Sequence, residues 1–224
     1  RKGQIMKKLF ILSSIFLISF NANAFKVDGV FKQGGLVAIN YDAKNTKTIT
    51  VNDKKITKTA DGVKYYPVGR NQTKLTVKQT LTNGTISQKT YNIDKVDFKV
   101  QHIKGIKKSH VTPRAPELLA RIKTESAAIK KSRKTNSLKY FDTLMPEFAK
   151  PTVGRITGVY GSSRTYNGVE KSWHKGYDIA NKEGTPIVAP LKGKVVLAMK
   201  DSFFNGNLVI IDHGKKIYTI YAHM

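Results

Sequence analysis

Residues 173–196, WHKGYDIANKEGTPIVAPLKGKVV, combine metal-ligating residue types with the Gly- and Pro-punctuated pattern of β structure. His174 and Asp178 stand four positions apart on a segment that we expect to be extended. Side chains on a strand alternate between its two faces, so residues an even number apart can project to one side and share a cation. Imidazole and carboxylate are both normal zinc ligands, and three protein ligands with one water define a catalytic zinc site. The stretch therefore predicts two ligands of such a site on a β framework.

A histidine and an aspartate at this spacing also occur as a surface histidine followed by a turn aspartate. The longer context decides between the two interpretations. The runs HKGYDIA, GTPIVAPLKGKVV and NGNLVIIDHGKKIYTIYAHM resemble, in order and spacing, the LytM or lysostaphin-like zinc endopeptidases, which form peptidase family twenty-three of the metallopeptidases. The run GRITGVYGSSR resembles the opening of their peptidase core. This resemblance implies an antiparallel β peptidase core over residues 147–224, a Zn²⁺ cofactor and hydrolysis of peptide cross-links in peptidoglycan.

The resemblance also implies a role for each site residue. His174 and Asp178 match the first two zinc ligands of the family, and His223 matches the first of two catalytic histidines beside the metal-bound water. An imidazole is suited to proton transfer at neutral pH, which is the work expected of His223. Taken alone, His223 is better explained as a hydrogen-bonded histidine at the end of a buried strand over residues 217–221.

The sequence departs from the family pattern at its C-terminal end. The family carries a His-x-His element some tens of residues further on, which supplies the third zinc ligand and the second catalytic histidine, but this sequence stops at Met224. His102 and His110 lie in a basic linker, and His213 lies in a predicted hairpin turn, so none of them is expected to replace it. We therefore expect an incomplete peptidase core that is inactive by itself. A fragment of a longer gene product explains this better than a natural truncation, because the sequence stops inside a strand pattern.

Residues 1–24 are typical of a leader followed by an export signal. The basic start at Met6, Lys7 and Lys8 precedes an apolar run and the small-residue cleavage site Ala22-Asn23-Ala24. The apolar run is about a dozen residues, shorter than the roughly 20 that cross a bilayer. No cysteine is present for a disulfide or a lipid anchor. We predict an exported, periplasmic protein.

Residues 25–100 alternate short runs of Val, Ile, Thr and Tyr with turn signals, a pattern typical of a small sandwich. The Asn83-Gly84 pair between the runs 74–81 and 86–93 predicts a hairpin. We interpret this part as an immunoglobulin-like β-sandwich accessory domain, so the fold class is mainly β. It would serve as a spacer or lid, or else would bind the wall or block the peptidase groove.

Residues 101–146 form a basic linker that contains one predicted helix, over residues 116–134. Pro116 is expected in its first turn, and Leu119, Ile122 and Ile129 recur at helical spacing. A narrow apolar stripe of this kind can lie on a membrane surface, but packing against the same protein is the favoured interpretation.

The high positive charge of the chain indicates which class of binding partner to expect. The chain carries 40 Lys and Arg against 15 Asp and Glu, a formal charge of +25 that attracts polyanions. Its lysines are spread singly, with no helix-turn-helix, zinc-finger or RNA-binding aromatic signature, so we do not expect nucleic acid as the partner. Peptidoglycan is the expected partner, with possible contact to an anionic wall polymer or a membrane surface. The sequence does not indicate an oligomeric state.

Three functions follow from these observations. The first is a zinc metalloendopeptidase that hydrolyses peptidoglycan peptides. The second is a non-catalytic cell-wall-binding regulator of other wall hydrolases, and the third is a basic exported protein that binds an anionic polymer or lipid. Retention of both His174 and Asp178 favours the first.

Overall fold

The computed structural model describes residues 25–134 and 144–224, so the predicted export signal over residues 1–24 lies outside the described residues. The chain is mainly β, which confirms the predicted fold class. The N-terminal unit contains seven strands: β1 (Phe25–Gly29), β2 (Leu36–Tyr41), β3 (Thr46–Val51), β4 (Lys54–Lys55), β5 (Val63–Pro67), β6 (Lys74–Leu81) and β7 (Ile86–Asn92).

The connection and the C-terminal unit follow. The connection contains β8 (Val100–Ile103), α1 (Lys108–Val111) and α2 (Pro116–Ser132). The C-terminal unit contains β9 (Arg155–Gly158), β10 (Ser163–Tyr166), β11 (Val169–Lys171), β12 (Asp178–Ala180), β13 (Lys194–Ser202), β14 (Gly206–Asp212) and β15 (Tyr218–Tyr221).

The N-terminal unit consists of two antiparallel sheets, ordered β1-β2-β5 and β4-β3-β6-β7, whose inner faces share one hydrophobic core. Burial alternates along β6, as expected when one face of a strand is covered, whereas three successive residues of β2, Val37 to Ile39, are all buried because both faces of that strand are covered. The core includes Val37, Ile39, Ile49, Leu75 and Val77, all fully buried. The two sheets form a sandwich, and its likeness to an immunoglobulin domain stays a prediction.

The hairpin predicted around Asn83-Gly84 is present. Strands β6 and β7 pair in antiparallel register, from Lys74 opposite Asn92 to Thr80 opposite Ile86. Gly84 has a φ of 86°, a left-handed conformation that a glycine adopts without strain. The turn chemistry of the sequence therefore sets the hairpin register.

The C-terminal unit has three small sheets, ordered β11-β10-β8, β12-β9 and β13-β14-β15. Strand β8 comes from the connection and pairs in parallel with β10, where Val100 is opposite Ser163 and Ile103 is opposite Tyr166. The beginning of the connection thus contributes an edge strand to the unit that follows it.

Helix α2 spans Pro116–Ser132, two residues fewer than predicted, with the proline in its first turn. Its half-buried large apolar side chains are Leu118, Ile122 and Ile129, whereas Leu119 is 48% exposed, so the predicted stripe was wrong at Leu119. Positions 118, 122 and 129 follow the helical period, and position 119 falls beside that line. Across the described residues, no helix is long and apolar enough to cross a membrane.

The two units pack against each other through the outer face of the sheet β1-β2-β5. Ala38 and Tyr65 are buried on this face, with partly buried apolar side chains from residues 144–145 and from Leu191 and Ile217 packed on them. The Tyr65 hydroxyl donates to the Leu144 carbonyl over 2.6 Å. The covered outer face fixes the position of the N-terminal unit against the C-terminal one.

Candidate metal centre

The two predicted metal ligands lie side by side. His174 Nε2 is 3.1 Å from Asp178 Oδ1. Only Asp178 belongs to a strand, β12, whereas His174 precedes it in irregular backbone that bends at Gly176. The expectation of one continuous strand was therefore wrong. The bend, rather than the strand pleat, brings the imidazole to the carboxylate.

The loop over residues 159–163 holds His174 by its backbone and by its ring. The His174 N–H donates to the Ser162 carbonyl (2.7 Å), and the Gly161 N–H donates to the His174 carbonyl (2.8 Å). The ring Nδ1 lies 3.2 Å from the Val159 carbonyl. Because a carbonyl oxygen only accepts, Nδ1 carries the proton in this contact, and Nε2, which faces Asp178, is the nitrogen that a metal would take.

Asp178 is held by a guanidinium on its other oxygen. Arg164 Nη2 lies 2.8 Å from Asp178 Oδ2, and Arg164 Nε donates to Gln101 Oε1 over 3.1 Å. The Arg164 side chain is largely covered, with 17% of it exposed. The ion pair keeps one carboxylate oxygen occupied and leaves Oδ1 facing His174.

Gly158 on β9 makes room for this pair. It is opposite Asp178 in the β9–β12 register. A Cβ at Gly158 would overlap Asp178 Oδ2 and would lie 3.1 Å from His174 Cε1. Only a glycine leaves both groups where they are. Sequence reasoning missed Gly158 and Arg164, although both occur in GRITGVYGSSR, the run that resembles the start of the peptidase core.

These residues fit a divalent metal such as zinc. The fit rests on an imidazole whose Nε2 lies 3.1 Å from a single carboxylate oxygen, and both groups are normal zinc ligands. Within residues 25–134 and 144–224, no third His, Cys, Asp or Glu completes a group that could hold a metal.

His223 lines a cavity that Asp178 also lines. It follows β15 with a φ of 61°, and its N–H donates to the Asn205 carbonyl over 2.7 Å. Its side chain and that of Asp178 line one cavity of about 560 Å³, together with Tyr177 and Tyr221. His174 lines a second cavity of about 490 Å³ on the side of Arg164. The structure therefore brings His223 to the cavity of Asp178, outside the His174–Asp178 contact itself.

The remaining histidines have other surroundings. His213 is fully buried, with Nδ1 2.7 Å from the Lys192 carbonyl and Nε2 2.8 Å from Thr219 Oγ1, so both its nitrogens are used within the fold. His102 Nδ1 contacts Thr165 Oγ1. His110 stacks on the Phe203 ring with 4.6 Å between ring centroids.

The histidine and the carboxylate lie side by side on a β framework, and both are residue types that ligate metals in metallopeptidases. The family model described as Peptidase family M23 matches residues 172–224, the segment that contains His174, Asp178 and His223. This match supports the resemblance of the segment to the LytM-like peptidases. A curated relative from Haemophilus influenzae, described as an uncharacterized metalloprotease, is 35% identical over 51 residues. The match covers 23% of this chain and 11% of the relative.

Proposed function

We propose that the protein is an exported, periplasmic zinc endopeptidase that hydrolyses peptide cross-links of peptidoglycan during cell-wall remodelling. The observation that carries the proposal is the 3.1 Å approach of His174 Nε2 to Asp178 Oδ1 inside the segment that matches the peptidase family. The metal class follows from the family and from the ligand types, an imidazole and a carboxylate.

In this function, His174 through Nε2 and Asp178 through Oδ1 would hold the metal. Bound zinc supplies Lewis-acid polarisation of a carbonyl and an activated water. The Val159 carbonyl keeps the ring proton of His174 on Nδ1, and Arg164 keeps Asp178 turned so that Oδ1 faces the histidine. His223, at the edge of the cavity that Asp178 lines, is placed to exchange a proton with the scissile amide or to steady its oxygen.

The substrate class is supported by charge. A chain with a formal charge of +25 attracts polymers that carry carboxylates, and peptidoglycan is such a polymer. An open cavity of about 560 Å³ beside Asp178 and His223, lined by aromatic and aliphatic side chains, suits a peptide segment.

The second candidate function is a non-catalytic wall-binding regulator of other wall hydrolases. One observation favours it: in the part of the chain that the structure describes, the centre has two ligands rather than three. A two-ligand centre holds zinc weakly, so this candidate predicts binding to the wall without a metal requirement.

The deciding experiment uses the protein expressed from its complete gene. Bound zinc and the release of peptides from isolated peptidoglycan are measured for the wild type and for His174→Ala and His223→Ala. We expect His174→Ala to lower zinc affinity and hydrolysis together by more than about 100-fold, since even outer partners of a ligand contribute 10- to 100-fold. We expect His223→Ala to keep its zinc and to lose turnover.

The matched control is His102→Ala, which changes an exposed histidine that contacts only Thr165 in the described structure. It should keep both zinc and turnover. Full hydrolysis by His174→Ala would contradict the metal assignment. Wild-type protein that binds the wall without hydrolysing it, with or without a chelator, would favour the regulator instead.

A further inference from the structure

An arginine of the N-terminal unit contacts the loop next to the candidate metal centre. Arg70 lies between β5 and β6, where its Nε donates to the Gly161 carbonyl over 2.6 Å. Its Nη2 donates to Ser163 Oγ over 3.2 Å. The guanidinium carbon lies 4.7 Å from the centroid of the Phe98 ring. Two hydrogen bonds therefore join this side chain to the loop over residues 159–163, and a cation–π contact joins it to Phe98.

That loop is the part of the chain that orients His174. Gly161 donates its N–H to the His174 carbonyl, Ser162 accepts the His174 N–H, and Val159 accepts the ring Nδ1–H. The loop that accepts a hydrogen bond from Arg70 therefore makes three contacts to His174, the proposed metal ligand. A shift of the loop would move the imidazole with it.

The loop is also packed too tightly to move independently of its aromatic neighbours. A Cβ at Gly161 would overlap the Phe98 ring, and Gly161 has a φ of 87°. Phe98 and Tyr160 make an edge contact at 6.4 Å, and Tyr160 and Trp173 make another at 5.0 Å. Trp173 immediately precedes His174. A chain of aromatic contacts therefore links Arg70 to the residue before His174.

We propose that Arg70 is a positioning residue of the metal centre, through which the N-terminal unit sets the orientation of His174 and hence the metal affinity. The inference rests on the proposed function of the His174–Asp178 pair. Its physical basis is that the Gly161 carbonyl receives a charge-assisted hydrogen bond, roughly twice as strong as a neutral one. Without it, the loop and the imidazole gain freedom that metal binding must then restrict.

The test uses the complete protein and titration with Co²⁺, whose visible absorption reports its coordination. The variants are Arg70→Ala and Arg70→Lys. The control is Lys89→Ala, which also removes a cation from over a phenylalanine ring, Phe25, but lies away from the loop. We expect Arg70→Ala to weaken Co²⁺ binding about 10-fold, as outer partners of a ligand do. Arg70→Lys should recover part of the affinity, because an ammonium can reach the Gly161 carbonyl but cannot fork to Ser163.

Thermal unfolding of each variant separates positioning from a general loss of stability. The inference is overturned if Arg70→Ala binds Co²⁺ as the wild type does, or if Lys89→Ala loses as much affinity. Where Arg70→Ala fails to fold, Arg70→Lys decides: affinity and spectrum equal to those of the wild type overturn the inference, and an intermediate affinity supports it.

A second readout keeps this inference apart from the proposed function. If the wild type takes up no Co²⁺, the proposed function fails, and the coupling is then measured in metal-free protein. Hydrogen exchange of the Gly161 and His174 amides should be faster in Arg70→Lys than in the wild type, and unchanged in Lys89→Ala. Equal exchange in all three proteins would overturn the role of Arg70.

Discussion

Asp178 divides its two carboxylate oxygens between a cation and the proposed metal ligand. Oδ2 pairs with Arg164 at 2.8 Å and Oδ1 faces His174 at 3.1 Å. A carboxylate held in this way has one orientation available before any metal arrives. Arg164 therefore acts on the centre through Asp178, as a side chain that fixes a ligand.

Replacement of Arg164 tests this arrangement. We expect Arg164→Ala to lower zinc affinity about 10-fold, because Asp178 becomes free to rotate, and Arg164→Lys to give an intermediate value. Competition with a chromophoric chelator measures the affinity. Arg155→Ala, an exposed arginine on the neighbouring strand β9, is the control. Equal affinities for Arg164→Ala and wild type would show that Asp178 needs no such partner.

For single residues, the sequence predicts the side chains that belong to a motif. It does not predict the side chains that orient them. His174, Asp178 and His223 follow from spacing and resemblance. Arg164 does not, because its partner Asp178 is set by how β10 and β12 come together. His174 does not follow the pleat of β12, because the chain bends at Gly176 before β12 begins.

Strand β9 leaves space for the candidate metal centre at its last residue, Gly158. Gly158→Ala would place a methyl group against Asp178 Oδ2 and close to His174 Cε1. We expect a folded protein, destabilised by about 1–3 kcal/mol as overpacked sites are, with metal affinity reduced at least as strongly as in Arg164→Ala. Thermal unfolding and metal titration measure the two effects.

The matched substitution is Gly69→Ala, where a Cβ would meet only ordinary contacts at 3.7 Å and beyond. It should keep both stability and affinity. A Gly158→Ala protein with wild-type affinity would show that the space next to Asp178 is not needed.

Helix α2 contacts the tip of the β13–β14 hairpin through hydrogen bonds to the carboxylate of Glu125. Glu125 Oε2 accepts from the Phe203 N–H at 2.9 Å and from Ser202 Oγ at 3.0 Å, and Oε1 pairs with Arg121 at 2.8 Å. Burial opposes the charge of Glu125, but the hydrogen bonds from Arg121, Phe203 and Ser202 outweigh it and hold its pKa below its usual value. The helix is thus attached by polar contacts that its apolar pattern does not reveal.

This attachment predicts a pH dependence. A carboxylate whose pKa is lowered in the folded state contributes stability above its ordinary pKa, and that stability is lost as the pH falls through the lowered value. We therefore expect Glu125→Gln to flatten the acid side of the stability profile, below about pH 4.5, the usual value of a glutamate. Chemical denaturation at a series of pH values measures it. An unchanged acid limb in Glu125→Gln would contradict the contribution of Glu125.

Local pattern was sufficient for the elements that depend on near neighbours. The β6–β7 hairpin and helix α2 were predicted from turn chemistry, proline placement and period. The pairing of β8 with β10 could not be predicted in this way. It joins residues about 60 positions apart, from Val100 opposite Ser163, and a parallel pair has no short turn between its strands that a sequence pattern would indicate.

In the whole molecule, a buried tyrosine joins the two units. Tyr65 donates its hydroxyl to the Leu144 carbonyl, and burial, with the nearby Asp61 carboxylate, raises the pKa of Tyr65 to about 12. A group whose pKa is raised on folding stabilises the fold fully below its ordinary value of 10.0, and this stability is lost as the pH rises toward the folded value.

We expect Tyr65→Phe to cost about 1 kcal/mol at neutral pH, the usual size of one hydrogen bond, and to make the loss of stability between pH 10 and 12 less steep. Equilibrium unfolding across this pH range measures both. Tyr177→Phe is the control, since that side chain is 59% exposed. An alkaline limb of wild-type steepness in Tyr65→Phe would contradict the prediction.

The pairing of strand β8 also limits where the chain can be shortened without exposing a strand edge. It belongs to the sheet of the C-terminal unit although helices α1 and α2 separate it from the rest of that unit in sequence. A shortened protein that starts at residue 147 would leave β10 with a bare edge of unpaired N–H and C=O groups, the kind of edge that recruits other chains into aggregates. A module that keeps this sheet intact therefore begins before Val100, and after a protease cut between α1 and α2 the N-terminal fragment, which carries β8, would stay bound to the C-terminal unit without a covalent link.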